Sequence, residues 1–156
     1  MKSIILDEMQ YWLMKTEPSD FSIDHLEKDK KTIWSGVRNF QARNFMKVMK
    51  LNDLVCIYHS STKVPGIAGI GKVSKEVIPD PSQFDKASKY YDSSSSKENP
   101  KWYCVEVSFV KKFSRIITLE ELRTIKELSS MKLLQRGSRL SVMPVSKSEY
   151  DKILTL

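Results

Sequence analysis

The chain predicts an α+β fold, a small mixed β-barrel of about five or six strands decorated by short helices. Three observations predict it: β-branched runs bounded by turn residues, short connections between them, and no repeating βαβ period that would build a doubly wound sheet. At 156 residues the chain is long enough for one domain with a real core and short for two. Residues 1–10 have no clear period and read as an N-terminal extension; residues 11–156 read as the single domain.

Tyr11 to Lys15 reads as the first strand, stopped at Pro18, which cannot donate to a sheet ladder. Ser22 is a candidate N-cap, with Phe21 and Leu26 at the hydrophobic-staple positions, so a helix is expected from Ile23 to about Lys28. The charged run from Glu27 to Lys31 reads as its solvated end. Asn39 caps a second expected helix, in which Ala42, Phe45, Met46 and Met49 recur at i, i+3, i+4 and i+7. Asn52 stands where that helix would need a left-handed C′ residue. Leu54 to Tyr58 is apolar on both alternating faces and reads as a central strand. Ile67 to Val73 is the next strand, and Gly69 and Gly71 within it require a bulge or a close backbone approach.

From Pro79 to Lys101 the periodicity fails for more than twenty residues, a length that marks a loop as functional or disordered. Phe84, Tyr90 and Tyr91 need something to pack on, whereas Ser93 to Ser96 reads as mobile. Tyr103 to Phe109 alternates as a strand covered on one face. Thr118 to Glu121 is a capping box opening a helix, Ser130 to Gln135 is a further short helix closed by Gly137, and Arg139 to Val145 is the last strand. Ser146 to Glu149 is a second capping box, with Val145 and Tyr150 as its staple.

Composition narrows the class of function. No apolar run approaches the length that crosses a bilayer, and Ser3 to Leu6, followed by Asp7 and Glu8, is too short for a signal peptide, so a soluble, intracellular protein is expected, cytoplasmic or nuclear. Cys56 and Cys104 lie inside apolar strands and read as reduced core thiols. With His25 and His59 they show no ligand-turn spacing, so no metal is expected. The net charge is +7, distributed as −2 over residues 1–32, +5 over 33–76, 0 over 77–101 and +4 over 102–156. Basic character of this kind favours a polyanionic partner.

No G-x-S-x-G, phosphate-loop or dinucleotide fingerprint is present, and no cofactor is implied. His59 beside Ser60 and Ser61 suggests a base and a nucleophile, but neighbours on a strand point to opposite faces. Binding is better supported: a planar base is held by aromatic faces and read by polar groups at its edge. Trp12, Trp34, Tyr58 and Tyr91 supply the faces, while Lys15, Arg38, Asn39, His59 and Ser60 supply the polar groups. Core packing competes for each aromatic, most strongly for Trp12 inside its strand. Arg43, Lys47 and Lys50 share one helix face, which a phosphate backbone or merely solvent could meet.

The runs Tyr11-Trp12-Leu13-Met14-Lys15-Thr16-Glu17-Pro18, Trp34 to Asn44, Tyr58-His59-Ser60, Pro65 to Gly69 and Arg139-Leu140-Ser141-Val142 resemble the EVE domain family, in its thymocyte nuclear protein 1-like branch. The resemblance covers Tyr11 to the end. It implies a PUA-like pseudobarrel and non-catalytic binding of DNA or RNA by a flipped, modified base, such as a 5-methylcytosine derivative, held in an aromatic pocket. Carried over position by position, it puts Trp12, Lys15, Trp34, Val37, Arg38, Asn39, Tyr58, His59, Ser60, Leu140 and Ser141 around the pocket. We expect Trp34 and Tyr58 to be its walls, Arg43 and Lys47 to contact phosphates, and the protein to act as a monomer. Two alternatives stand beside this one: an enzyme acting on a nucleoside or modified base with His59 as general base, and an interaction module that uses the 79–101 loop.

Overall fold

The computed structural model describes residues 9–156, and most of the expected N-terminal extension lies outside them. The chain runs β1 (Tyr11–Thr16), α1 (Ile23–Asp29), β2 (Lys31–Ile33), α2 (Phe40–Val48), β3 (Leu54–His59), β4 (Gly66–Pro79), β5 (Tyr103–Thr118), α3 (Leu119–Thr124), β6 (Val142–Val145) and α4 (Lys147–Leu154). Single 3₁₀ turns occupy Pro81–Phe84, Lys126–Leu128 and Lys132–Leu134. The strands form one mixed sheet in the order β2-β5-β4-β3-β1-β6. Its edges, β2 and β6, do not pair with each other, so the barrel stays open along one side.

β1 and β3 run parallel, with Trp12 opposite Val55 and Lys15 opposite Tyr58; every other pairing is antiparallel. Both faces of the sheet are covered. One carries Trp12, Met14, Trp34, Met46 and Val107 beneath α1 and α2. The other carries Leu13, Cys56, Tyr58, Leu122 and Ile153 beneath α3 and α4. Buried in apolar surroundings, the thiols of Cys56 and Cys104 are both pushed up to about 12, which makes them inert.

Most caps form as the sequence predicts. Ser22 accepts from the His25 amide, and the His25 ring closes the box from the other side. Asn39 accepts from the Ala42 amide, and Ser146 with Glu149 completes both bonds of its box. The Thr118 box forms only half: Thr118 accepts from the Glu121 amide, but the Glu121 carboxylate is drawn away by Arg115.

Other expectations are corrected. Lys31, read as part of a solvated helix end, instead opens the short edge strand β2, Lys31–Ile33, which pairs with β5. Asn52 has the expected left-handed φ of 71°, but α2 ends in extended backbone at Met49, and Asn52 belongs to the turn leading into β3. Ser130 to Gln135 is not an α-helix but a 3₁₀ turn at Lys132–Leu134, and β6 begins only at Val142, with Pro144 tolerated because the strand is an edge. β5 runs nine residues beyond its expected end, and its Cys104 and Glu106 face is buried as well. Gly69 serves both suggested purposes: the register shifts beside it, and an added Cβ would stand 2.3 Å from the Lys111 carbonyl oxygen. Ser93 to Ser96, expected to be mobile, is bonded into the 79–101 loop, where Ser95 Oγ donates to Gln83 and accepts from the Lys101 amide at 3.0 Å.

Asp53 ties three segments together. Only 2% exposed, it accepts from the Gln10 amide at 3.1 Å, the Trp12 indole at 3.0 Å and the Lys50 amide at 2.9 Å. Gln10, counted with the extension on sequence grounds, is thus held at the head of β1. Asp53→Ala leaves a buried indole N–H unsatisfied and frees the α2–β3 turn, so unfolding free energy should fall by about 3 kcal/mol. A urea titration showing an unchanged slope and an earlier midpoint is the expected result.

Candidate nucleic-acid interface

The open side of the barrel is where the chain leaves a cavity. Of about 570 Å³, it lies between Thr32 and Ile33 of β2 on one side and Lys15 and Thr16 of β1 on the other. Backbone bonds extend the ladders on both flanks of β1: the Lys15 amide donates to Ser141 at 2.8 Å, and the Ser60 amide donates to Thr16 at 2.9 Å. These bonds bring Ser60 and Ser141 to the cavity beside Lys15. Trp34, 7% exposed, lines it, and Phe21 meets Trp34 edge-on with centroids 6.3 Å apart. Val37, Arg38, Tyr90, Lys89 and Arg139 also line it, with Glu17 and Asp20, so it combines aromatic faces, hydroxyls and charges of both signs. Burial pulls the Lys15 ammonium below its ordinary value, the mark of a cation partly removed from water.

Tyr90 comes from the long 79–101 loop, and Arg38 holds it there. Arg38 Nη2 donates to the Tyr90 carbonyl at 2.7 Å and Nε to the same oxygen at 3.1 Å, while Nη1 donates to Asp80 at 3.1 Å. The guanidinium also lies over the rings of Trp102 and Tyr90, 5.1 and 5.7 Å from their centroids. Asp80 in turn accepts from the Gly36 amide at 2.8 Å and from the Ser82 amide and hydroxyl at 2.8 and 2.6 Å. Burial alone would raise the Asp80 pKa, but the hydrogen bonds from Ser82, Gly36 and Arg38 together hold it below the ordinary value.

The profile of the EVE domain matches residues 10–156. The chain belongs to the EVE domain family. Mouse thymocyte nuclear protein 1 is 46% identical to it, over 94% of this chain and 73% of that protein. Among solved structures, the human THYN1 protein in complex with 5-methylcytosine-containing DNA superposes with a TM-score of 0.89 at 42% identity, covering 94% of this chain and 96% of that one. A protein from Leishmania major gives a TM-score of 0.93 at 46% identity, covering 96% and 94%.

Within this EVE domain, the residues singled out by sequence divide into two groups. Lys15, Trp34, Val37, Arg38, Ser60 and Ser141 line the cavity. Trp12, Asn39, Tyr58, His59 and Leu140 do not. The Trp12 indole is consumed by Asp53, and Asn39 caps α2. Leu140 packs between the two core clusters. Tyr58 faces a different cavity on the other side of Lys15, so the expected pairing of Trp34 with Tyr58 is corrected: Tyr90 accompanies Trp34. His59 Nε2 accepts from the Ile23 amide at 3.1 Å at the head of α1, and the ring does not line the cavity. Of the two expected phosphate contacts, Arg43 donates to the Lys101 carbonyl and to Asn44, and Lys47 lies exposed over the Tyr103 ring.

Sequence reasoning missed Phe21, Thr32, Ile33, Tyr90, Lys89 and Arg139. The signals for Tyr90 were the length of the 79–101 loop and Gly36. With φ at 88°, Gly36 lies so close to Tyr90 that an added Cβ would stand 2.7 Å from the ring.

Two outcomes are expected of this geometry. Arg38→Ala should release Tyr90 and raise amide exchange across residues 80–92 by at least tenfold, while exchange in β3 stays unchanged. The second concerns His59, whose buried ring is held below its ordinary pKa of 6.5 by desolvation, partly offset by Asp24. A depressed folded-state pKa gives stability that is present above 6.5 and lost as pH falls from there through the folded value. Unfolding free energy measured between pH 7.5 and 5 should therefore decline, and His59→Gln should flatten that decline.

Proposed function

We propose that this chain is a non-catalytic nucleic-acid-binding module that takes one flipped, modified base, of the 5-methylcytosine class, into the cavity between Trp34 and Tyr90. The observation that carries the reading is the composition of that cavity in the gap between the sheet edges. Aromatic surface from Trp34 and Tyr90 stands beside the short hydroxyls of Ser60 and Ser141 and the half-buried Lys15. Such a set suits a planar ligand with a polar edge, and clefts of this volume admit ligands of that size. The human relative's complex with 5-methylcytosine-containing DNA supports DNA as the nucleic acid.

Flipping costs a few kcal/mol of unstacking, which the site would offset by stacking and by hydrogen bonds to the base edge. Stacking on an aromatic side chain contributes about 1–3 kcal/mol per base, and it is indifferent to base identity. Selectivity for a modification would therefore arise from the shape of the enclosed walls. The histidine of the Tyr58-His59-Ser60 run, the general base the enzyme alternative needs, is engaged through Nε2 by the Ile23 amide and lies outside the cavity lining, which favours binding over catalysis.

The test is titration of oligonucleotides that carry a single 5-methylcytosine, a single 5-hydroxymethylcytosine or neither. Wild type should prefer a modified strand. Trp34→Ala should weaken its binding roughly tenfold to a hundredfold, as loss of a stacking face requires. Equal affinity for all three strands would sink the base-pocket reading.

A further inference from the structure

The cations around Lys15 differ from the rest in one respect. The chain has six arginines. Arg38, Arg43 and Arg115 are each engaged by hydrogen bonds to protein oxygens. Arg123, Arg136 and Arg139 have neither a carboxylate within salt-bridge reach nor a hydrogen-bond partner among the described residues. All three line the cavities that meet at Lys15: Arg139 the one already described, Arg123 and Arg136 a second of about 470 Å³. Lys15 itself lines both and has no carboxylate partner among the described residues; its ammonium lies 5.8 Å from the centroid of the Tyr58 ring.

The second cavity is also lined by Tyr58, Gln135, Gly137 and Ser138, and by no acidic side chain. Tyr58 is 4% exposed, yet its hydroxyl has no hydrogen-bond partner among the described residues. A buried hydroxyl without a partner costs free energy unless a ligand or water satisfies it. Tyr58 and Arg123 line the same cavity; burial raises the Tyr58 pKa and the Arg123 charge partly offsets it. Two unpaired guanidinium groups, an ammonium and an orphaned phenol O–H form an all-donor site, and guanidinium forks match the oxygens of phosphate.

We propose that this second cavity binds a backbone phosphate of the strand whose base occupies the first, with Arg123, Arg136 and the Tyr58 hydroxyl as donors and Lys15 shared between the two sites. The proposal rests on the nucleic-acid reading but not on the choice of base. It also moves the phosphate contacts away from Arg43, whose guanidinium is already committed, to the opposite side of β1.

The experiment compares wild type, Arg123→Gln/Arg136→Gln and Tyr58→Phe, using fluorescence anisotropy with a short single-stranded oligonucleotide that carries one 5-methylcytosine. Salt is varied, and each phosphate near the modified base is replaced in turn by a neutral methylphosphonate. Both arginines are exposed, so the double variant should fold as wild type does, and Tyr58→Phe retains the ring. The double variant should bind at least tenfold more weakly at low salt, and its slope of log affinity against log salt should be shallower by about 0.7, the loss of one phosphate contact on a single strand. Its ratio of modified to unmodified binding should be unchanged. One methylphosphonate position should weaken wild type and leave the double variant unaffected, and Tyr58→Phe should lose severalfold. A wild-type slope in the double variant, or equal sensitivity of both proteins at every methylphosphonate position, overturns the phosphate site. If wild type shows no preference for the modified base while the slope still falls, the base-pocket reading fails and the phosphate site stands.

Discussion

The cavity depends on one buried carboxylate. Asp80, 1% exposed, accepts from two amides, a hydroxyl and the Arg38 guanidinium, and through them it joins two irregular segments, 34–39 and 80–92. Past their first residues, where the Trp34 amide donates to Val105 and the Asp80 amide to Trp102, neither segment continues a sheet ladder. A buried charge is tolerated only when it is paired and hydrogen-bonded, and removing one partner of such a pair costs on the order of 3–5 kcal/mol. The pairing therefore fixes where the Trp34 loop and the Tyr90 loop stand relative to each other, and hence the width of the cavity between them. Gly36 belongs to the same device, since its amide is an Asp80 donor and its missing side chain is what lets Tyr90 close against the loop.

What the sequence disclosed about the fold was what local chemistry decides. Ser22, Asn39, Thr118 and Ser146 each cap a helix, because an N-cap is a matter of one side chain and an amide two or three residues away. The central position of β3 was legible in the doubly apolar Leu54 to Tyr58. Features fixed by partners distant in sequence were not. Lys31–Ile33 is a strand only because β5 lies beside it, and the second half of β5 is a strand because β4 continues to pair with it.

The site divided along the same line. Lys15, Trp34, Val37, Arg38, Ser60 and Ser141 lie on or beside element ends that point at the opening of the barrel, and the motifs carried them. Tyr58 and His59, expected at the same pocket, lie outside this cavity for one reason: β3 alternates. Tyr58 turns to the face under α3, and His59 turns to the other and meets the N-terminus of α1. Neither direction is toward the cavity. Tyr90 was out of reach because its place is set by Arg38 from fifty-two residues away.

The disposition of charge argues that the site is built to be completed from outside. A folded chain with both signs available usually spends its arginines on its own oxygens, as Arg38, Arg43 and Arg115 do here. Leaving Arg123, Arg136 and Arg139 unpaired around a half-buried Lys15 sacrifices that stabilisation and adds mutual repulsion. Glu17 and Asp20 offset part of this on the side of the first cavity, but no acidic side chain lines the second, and such a group of cations persists in a marginally stable fold only where the cost is small or a ligand repays it. The cost here is small for the exposed guanidiniums but not for Lys15, whose ammonium is depressed by burial, nor for the Tyr58 hydroxyl. Both deficits sit side by side where the two cavities meet, Lys15 on β1 opposite Tyr58 on β3. One anionic strand crossing there, with its base on one side and its phosphate on the other, would satisfy them together.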